Sequence, residues 1–154
     1  MTEGILKYEL TIPPDALDEN EHVNNVVYLQ WMQDVAIMHF TAMGGNEVMH
    51  KLGASWFARE HNIKYLSPAF EGEEIAIFTW VANLHRARSM RRYMFVRKSD
   101  NKTLAKGETD WVFVDAKTGR PKIIPDEITA LFTPISEEEQ IIPTSYCDFS
   151  PHIL

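Results

Sequence analysis

Between residues 25 and 42 the chain reads NVVYLQWMQDVAIMHFTA, and only a narrow stripe of it is polar. Gln30, Gln33, Asp34, Ile37 and Thr41 fall at helical spacing on that stripe, while Val26, Val27, Tyr28, Leu29, Trp31, Met32, Val35, Ala36, Met38 and Phe40 cover the rest of the circumference. The pattern predicts a helix over Asn25–Ala42 that is buried on several sides. Gly44 and Gly45 end it, and a short second helix over Asn46–Leu52 stops at Gly53. Asn24 is the natural N-cap, with Val23 before it and Tyr28 at the fourth helical position placed to clasp as a hydrophobic staple.

Elsewhere the pattern is that of strands. Residues 5–12, ILKYELTI, are rich in strand formers and are stopped by Pro13 and Pro14, after which a polar loop runs from Asp15 to Asn24. Four more strands follow, at Ser55–Leu66, Glu74–Leu84, Arg88–Lys98 and Thr103–Asp115. In the last of them Lys106, Glu108 and Asp110 alternate with Ala105, Gly107, Thr109, Trp111 and Phe113, so one face is wet and the other buried. SDNK (99–102) is a turn, AKTGRP (116–121) a loop, and DEITALF (126–132) a last short helix after Pro125. One strand, a long helix and four successive strands predict an α+β fold, an antiparallel sheet wrapped around one central helix. A single small sheet does not cover such a helix, so an oligomer that completes the cover is expected. The domain is expected over residues 1–135, with a solvated tail over 136–154 that carries Glu137, Glu138 and Glu139.

Composition narrows the function. A chain of 154 residues with 45% hydrophobic and 24% charged residues holds one globular domain with a real core. A net charge of −7 argues against general binding of nucleic acid. Against that background residues 75–99 contain no Asp or Glu but six of the fifteen Lys and Arg: Arg86, Arg88, Arg91, Arg92, Arg97 and Lys98. Such a run is either a patch for phosphates or an acidic partner, or a strand face whose cations pair with carboxylates across the sheet. Cys147 is the single cysteine, which excludes an intrachain disulfide and fits a reducing cytoplasm. The N-terminus MTEGILKYEL lacks a signal-peptide pattern, and no stretch is apolar and long enough to span a bilayer, so no membrane partner is expected. His39, His50, His61, His85 and His152 are scattered, His22 alone makes no zinc site, and DENEHVNN lacks the glycine of a calcium loop. Neither metal nor cofactor is expected.

The candidate chemistry lies in the loop before the long helix. Asp18, Asn20 and His22 stand at alternate positions, so an extended loop would point all three the same way. They precede a helix N-terminus whose unpaired amide, that of Asn25, suits an oxygen gaining negative charge. Carboxylate, amide and imidazole could act as nucleophile or base, orienting group and proton carrier. Asn and Asp also favour turns, and a plain capping loop would use the same letters.

The run D-x-N-x-H-V-N-N-V-x-Y-[IL]-x-W, here DENEHVNNVVYLQW at 18–31, resembles the acyl-acyl-carrier-protein thioesterases of plants and bacteria. More broadly it resembles the 4-hydroxybenzoyl-CoA thioesterase branch of the hotdog-fold superfamily. NIKYLSPAFEGEEI (62–75) and WVFVDAKTGRPKIIPDEI (111–128) resemble later parts of the same family in the right order, so the likeness spans most of residues 5–132. It implies a hotdog fold and hydrolysis of an acyl-CoA or acyl-carrier-protein thioester. It also implies a homodimer or homotetramer with active sites at the subunit interface. Asp18 would be nucleophile or base, the Asn25 amide the oxyanion donor, and Asn20 and His22 members of the catalytic set. Tyr28, Arg88 and Arg91 are the candidates for substrate binding. The aromatics Trp31, Trp56, Trp80, Trp111, Phe57 and Phe78 are expected in the core, some of them lining an acyl pocket.

Two departures stand out. Many members have Gly where this chain has Glu21. The plant-type enzymes use a further acid or cysteine on a following strand, where the nearest position here is Pro68 and the nearest acid Glu60. Hotdog hydratases resemble D-x-N-P-x-H, with the His five after the Asp; here His22 is four after Asp18, which argues against that activity. A non-catalytic acyl-CoA-binding protein is the other alternative, and the intact Asp18 argues against it.

Overall fold

The computed structural model describes residues 4–136. Its elements are β1 (Ile5–Thr11), α1 (Asn25–Ala42), α2 (Gly45–Leu52), β2 (Ala54–Tyr65), β3 (Glu74–His85), β4 (Arg88–Arg97), β5 (Thr103–Asp115) and α3 (Asp126–Thr129). All but α3 agree with the expected bounds to within a residue; α3 closes after a single turn. The five strands form one antiparallel sheet in the order β1-β3-β4-β5-β2, so β1 and β2 are its edges. The polar residues expected in the tail, Glu137 to Glu139, lie outside the described residues, as does Cys147.

Helix α1 packs on one face of the sheet. Tyr28, Met32, Val35, Ala36 and His39 are its buried residues, and their spacing of four, three, one and three marks a single stripe. Tyr28, Met32, Val35 and Ala36 join Ile75, Ile77, Tyr93, Phe95 and Leu104 of the sheet in one apolar cluster. Burial on several sides holds only in part within one chain: Val26 is 69% exposed and Val27, Leu29, Trp31, Met38 and Phe40 are half-buried, while Ile37, on the expected stripe, is exposed. The physical reason is contact geometry, because one sheet face touches one helix stripe and leaves the opposite apolar positions to solvent or to another chain. On the other sheet face Phe78, Trp80, Met94 and Val96 pack with Ile135.

The joint between α1 and α2 leaves no room for a side chain. Gly45 opens α2 rather than ending α1, and a Cβ there would lie 2.4 Å from the Phe40 ring. That ring is itself stacked on Phe132, with centroids 5.9 Å apart, so it has little freedom to retreat. Gly45→Ala is therefore expected to destabilise the fold by about 1–3 kcal/mol, read as a lower urea midpoint with an unchanged slope.

Candidate active site

The loop ahead of α1 is a closed turn, not the extended segment expected from the alternation of its polar residues. The Asp18 amide donates to the His22 carbonyl (2.8 Å), and the Glu21 amide donates to the Asp18 carbonyl (3.0 Å). Asp18 Oδ1 accepts from the backbone amides of Asn20 (2.8 Å) and His22 (3.2 Å). A carboxylate that caps two nearby amides curls the chain back on itself, which is the local preference of Asp that competes with extended backbone. Asp18, Asn20 and His22 are thus brought together through main-chain groups. The side chains of Asn20 and His22 are exposed, the latter's ring standing edge-on to Phe70 at 5.1 Å.

Glu21 sits at φ 65°, in the left-handed region. This is where many members of the resembled family have Gly, and the closed turn supplies the reason: a left-handed residue is needed to return the chain from Asp18 to His22. The conformation costs an L-residue about 1–2 kcal/mol, against about 0.5–1 kcal/mol of extra chain entropy lost by Gly. Glu21→Gly is therefore expected to raise stability by about 0.5–1 kcal/mol, measured by urea unfolding.

The base of the loop is clamped to the helix start. Leu17 and Val23 form an antiparallel bridge, and the Asn24 amide donates to the Ala16 carbonyl (2.9 Å). Val23, 4% exposed, also donates its amide to Ala69 (2.9 Å). Asn24 is the N-cap, its side chain accepting from the Val26 amide at 3.0 Å. The Asn25 amide stands at the first helical position, where helix geometry provides no acceptor. The Asn25 carbonyl accepts from the Tyr65 hydroxyl (3.0 Å), which ties the last residue of β2 to the first of α1.

Tyr28 is a core residue. It is 3% exposed and has ring contacts with Trp31, Tyr65 and Phe95 at 5.6, 5.5 and 5.0 Å. Burial pushes its hydroxyl pKa up to about 12. Glu60 is exposed on edge strand β2, at the register shift between Ala58 and Glu60, and Pro68 is exposed in the following loop.

Most of the basic run is neutralised by the chain itself. Arg88 forms a two-pronged pair with Asp110, and that hydrogen bond raises the Arg88 pKa. Arg92 pairs with Glu108 (3.1 Å), Arg97 with Glu73 (3.1 Å) and Asp100 (3.0 Å), and Lys98 with Glu9 (3.1 Å). Arg88 and Arg91 therefore share no surface patch. Arg91 is 5% exposed and lies beneath α1. Its Nη1 donates to His39 Nδ1 (2.9 Å) and to Thr79 Oγ1 (3.1 Å). Burial lowers its pKa to about 10, which leaves it cationic at neutral pH.

Arg91 faces a cavity of about 430 Å³ between the C-terminal half of α1, the start of β2 and the inner ends of β3 to β5. Its walls include Gln33, Phe40, Trp56, Trp111 and Phe132. The volume lies within the ordinary range for a small-molecule site, roughly 300–1,000 Å³. Of the aromatics expected in the core, Trp80 and Phe78 are there, Trp56 and Trp111 line this cavity, and Phe57 is 61% exposed on β2. His39 and Thr79 were not singled out in the sequence. The usable signal was the alternation Ser89, Arg91, Tyr93, Phe95 along β4, which places Arg91 in the inward register. Among the described residues no group of three or more His, Cys, Asp or Glu could hold a metal ion, and no helix is long and apolar enough to cross a membrane.

A capped helix with a carboxylate turn before it, and an apolar cavity along the same helix, can be set beside known proteins. A 1,4-dihydroxy-2-naphthoyl-CoA thioesterase from Synechocystis superposes with a TM-score of 0.75 at 14% identity, over 83% of this chain and 95% of that one. A Staphylococcus aureus protein solved in complex with CoA gives 0.76 at 16% identity, over 85% and 83%. An acyl-ACP thioesterase from Bacteroides thetaiotaomicron gives 0.76 at 20% identity, over 87% and 56%. In sequence, an L-carnitine dehydrogenase/betainyl-CoA thioesterase from Ruegeria pomeroyi is 26% identical over 139 residues. That match takes in 90% of this chain but only 28% of the length of the relative. The sequence model of the Thioesterase-like superfamily matches residues 12–132, the span from the end of β1 through α3 that contains both the turn and the cavity, and the chain belongs to that superfamily.

Proposed function

We propose that this protein hydrolyses an acyl-CoA thioester, with Asp18 as the reacting carboxylate and the Asn25 amide as the oxyanion donor. The observation that carries the reading is the Asp18 turn clamped to a capped α1 N-terminus in a chain of the thioesterase-like superfamily. Asp18 Oδ1 is held by two amides, and Oδ2 has no partner among the described residues. That oxygen either takes a proton from water as the water oxygen bonds to the acyl carbon, or bonds to that carbon itself to give an anhydride that water then opens. Either way the carbon–sulfur bond breaks, the thiol leaves with a proton, and the negative carbonyl oxygen is met by the Asn25 N–H. Asn20 and His22 position the substrate and the water. Coenzyme A is favoured as the carrier because a sequence relative and two similar structures are named for CoA thioesters or a CoA complex; the basic run, paired with the chain's own carboxylates, offers little to an acidic protein or to phosphates.

The active unit in this reading is a homodimer joined through β2. From Asn25 to the cavity walls on α1, Gln33 to Phe40, the helix rises roughly 12–22 Å. Within one chain the cavity therefore lies along the helix from the Asn25 amide, not at it. Antiparallel pairing of β2 with its copy places the start of one strand beside the end of the other. The cavity of one protomer then meets the Asp18 turn of its partner. The twelve-residue free edge of β2 and the exposed Phe57 support this pairing.

The test is release of free thiol from a panel of acyl-CoAs and acyl carrier proteins that includes betainyl-CoA and 1,4-dihydroxy-2-naphthoyl-CoA, with hydration of a 2-enoyl-CoA as the control reaction. Thiol release with no hydration is expected. Binding of the panel without turnover would overturn the reading in favour of a non-catalytic acyl-CoA-binding protein.

A further inference from the structure

Arg91 poses a physical problem that the hydrolysis of a plain acyl chain leaves unsolved. It is 5% exposed, and the side chains it hydrogen-bonds are His39 and Thr79, neither of them a carboxylate. A guanidinium has no acceptor, so His39 Nδ1 must accept from it. Thr79 accepts from Arg91 and donates its own hydroxyl proton to the Arg92 carbonyl (3.0 Å). Among the described residues no Asp or Glu lies within ion-pair distance of Arg91, although Arg88, Arg92 and Arg97 on the same strand all have carboxylate partners. A buried cation without a counter-ion is costly to maintain. It borders a mainly apolar cavity, whose walls include Phe40, Trp56, Trp111 and Phe132 and whose other polar side chains, among them Gln33 and Asn46, are uncharged.

We propose that the cavity selects acyl groups that carry a second carboxylate, bound at its far end by the guanidinium of Arg91 with His39 and Thr79 holding that group in place. The substrates are then CoA monothioesters of short dicarboxylic acids. This rests on the reading of the cavity as the acyl pocket of a thioester hydrolase. The aromatic walls take the methylene chain, and the planar guanidinium presents paired N–H groups to the terminal carboxylate. An acyl group ending in a fixed cation, such as betainyl, meets like charge at the same point.

The experiment compares adipoyl-CoA and glutaryl-CoA with hexanoyl-CoA and valeryl-CoA for the wild type, Arg91→Met and Arg91→Lys. Binding of free adipate and hexanoate is followed in parallel by calorimetry. The wild type is expected to favour the dicarboxylic substrates at least tenfold in kcat/KM. Arg91→Met should bring that ratio to about one, Arg91→Lys should keep part of it, and adipate should bind the wild type but not Arg91→Met. Equal or reversed preference in the wild type, or a preference that survives Arg91→Met, overturns the proposal even where thioesters are hydrolysed. If no thioester is hydrolysed but adipate binds and depends on Arg91, the carboxylate site stands and the hydrolase reading falls. If Arg91→Met does not fold, the wild-type preference, adipate binding and Arg91→Lys decide the matter.

Discussion

Asp18→Asn is expected to lower kcat/KM for the best acyl-CoA by about 10²–10⁴, the usual worth of a positioned general base, with little change in the thermal midpoint. The structure makes this substitution a clean probe. The carboxylate holds its turn through one oxygen, Oδ1, which accepts from Asn20 and His22. The amide oxygen of Asn can accept the same two bonds, so the loop keeps its shape. What is removed is the negative charge and the basicity of the second oxygen. Thiol release is the readout for activity and circular dichroism the check on folding. A variant that kept wild-type turnover would remove Asp18 from the chemistry and leave it as a turn-former.

Phe57→Lys is expected to convert the dimer to monomers at micromolar concentration and to reduce thiol release at least a hundredfold. Phe57 is 61% exposed in the single chain, so a lysine there is tolerated by the monomer fold. Phe57 alternates with the cavity-lining Trp56 and so stands on the opposite face of β2. In the proposed β2-paired dimer its ring packs beside a side chain of the copied strand; a lysine forfeits part of the about 1.5–3 kcal/mol that burying the ring is worth and puts a like charge on both strands. Light scattering reports the mass and the thiol assay the activity. The two readouts must move together, because the cavity of one protomer and the Asp18 turn of its partner form one site in this reading. A monomer with full activity would show that each chain carries a complete site.

A good part of this was legible in the chain. Asn24 as N-cap, the stop at Pro13 and Pro14 and the four later strands follow from local preferences that tertiary structure did not override. The motif from Asp18 to Trp31 pointed to the superfamily for the same reason, since it lies in one continuous segment. Glu21 became intelligible only once its backbone was seen to be left-handed. The burial of α1 was misjudged because a helix apolar nearly all round does not say which face its neighbours will cover. An aromatic-lined pocket was expected, but which residues line it and where it lies were not legible, since Phe40, Trp56, Trp111 and Phe132 come from separate parts of the chain.

Arg91 and Arg92 mark the boundary most sharply. They are the same letter at adjacent positions, and composition places them in one basic run. A strand turns successive side chains to opposite faces, so Arg92 meets Glu108, its register partner on β5, on one side of the sheet. Arg91 goes to the other side, beneath α1, against His39 and Thr79. The order of elements and the alternation along β4 were determined by the sequence alone, because hydrophobic period and capping are local. Which arginine found a carboxylate and which was left in a cavity was decided by register and by the helix laid over the sheet, because those partners are distant in the chain.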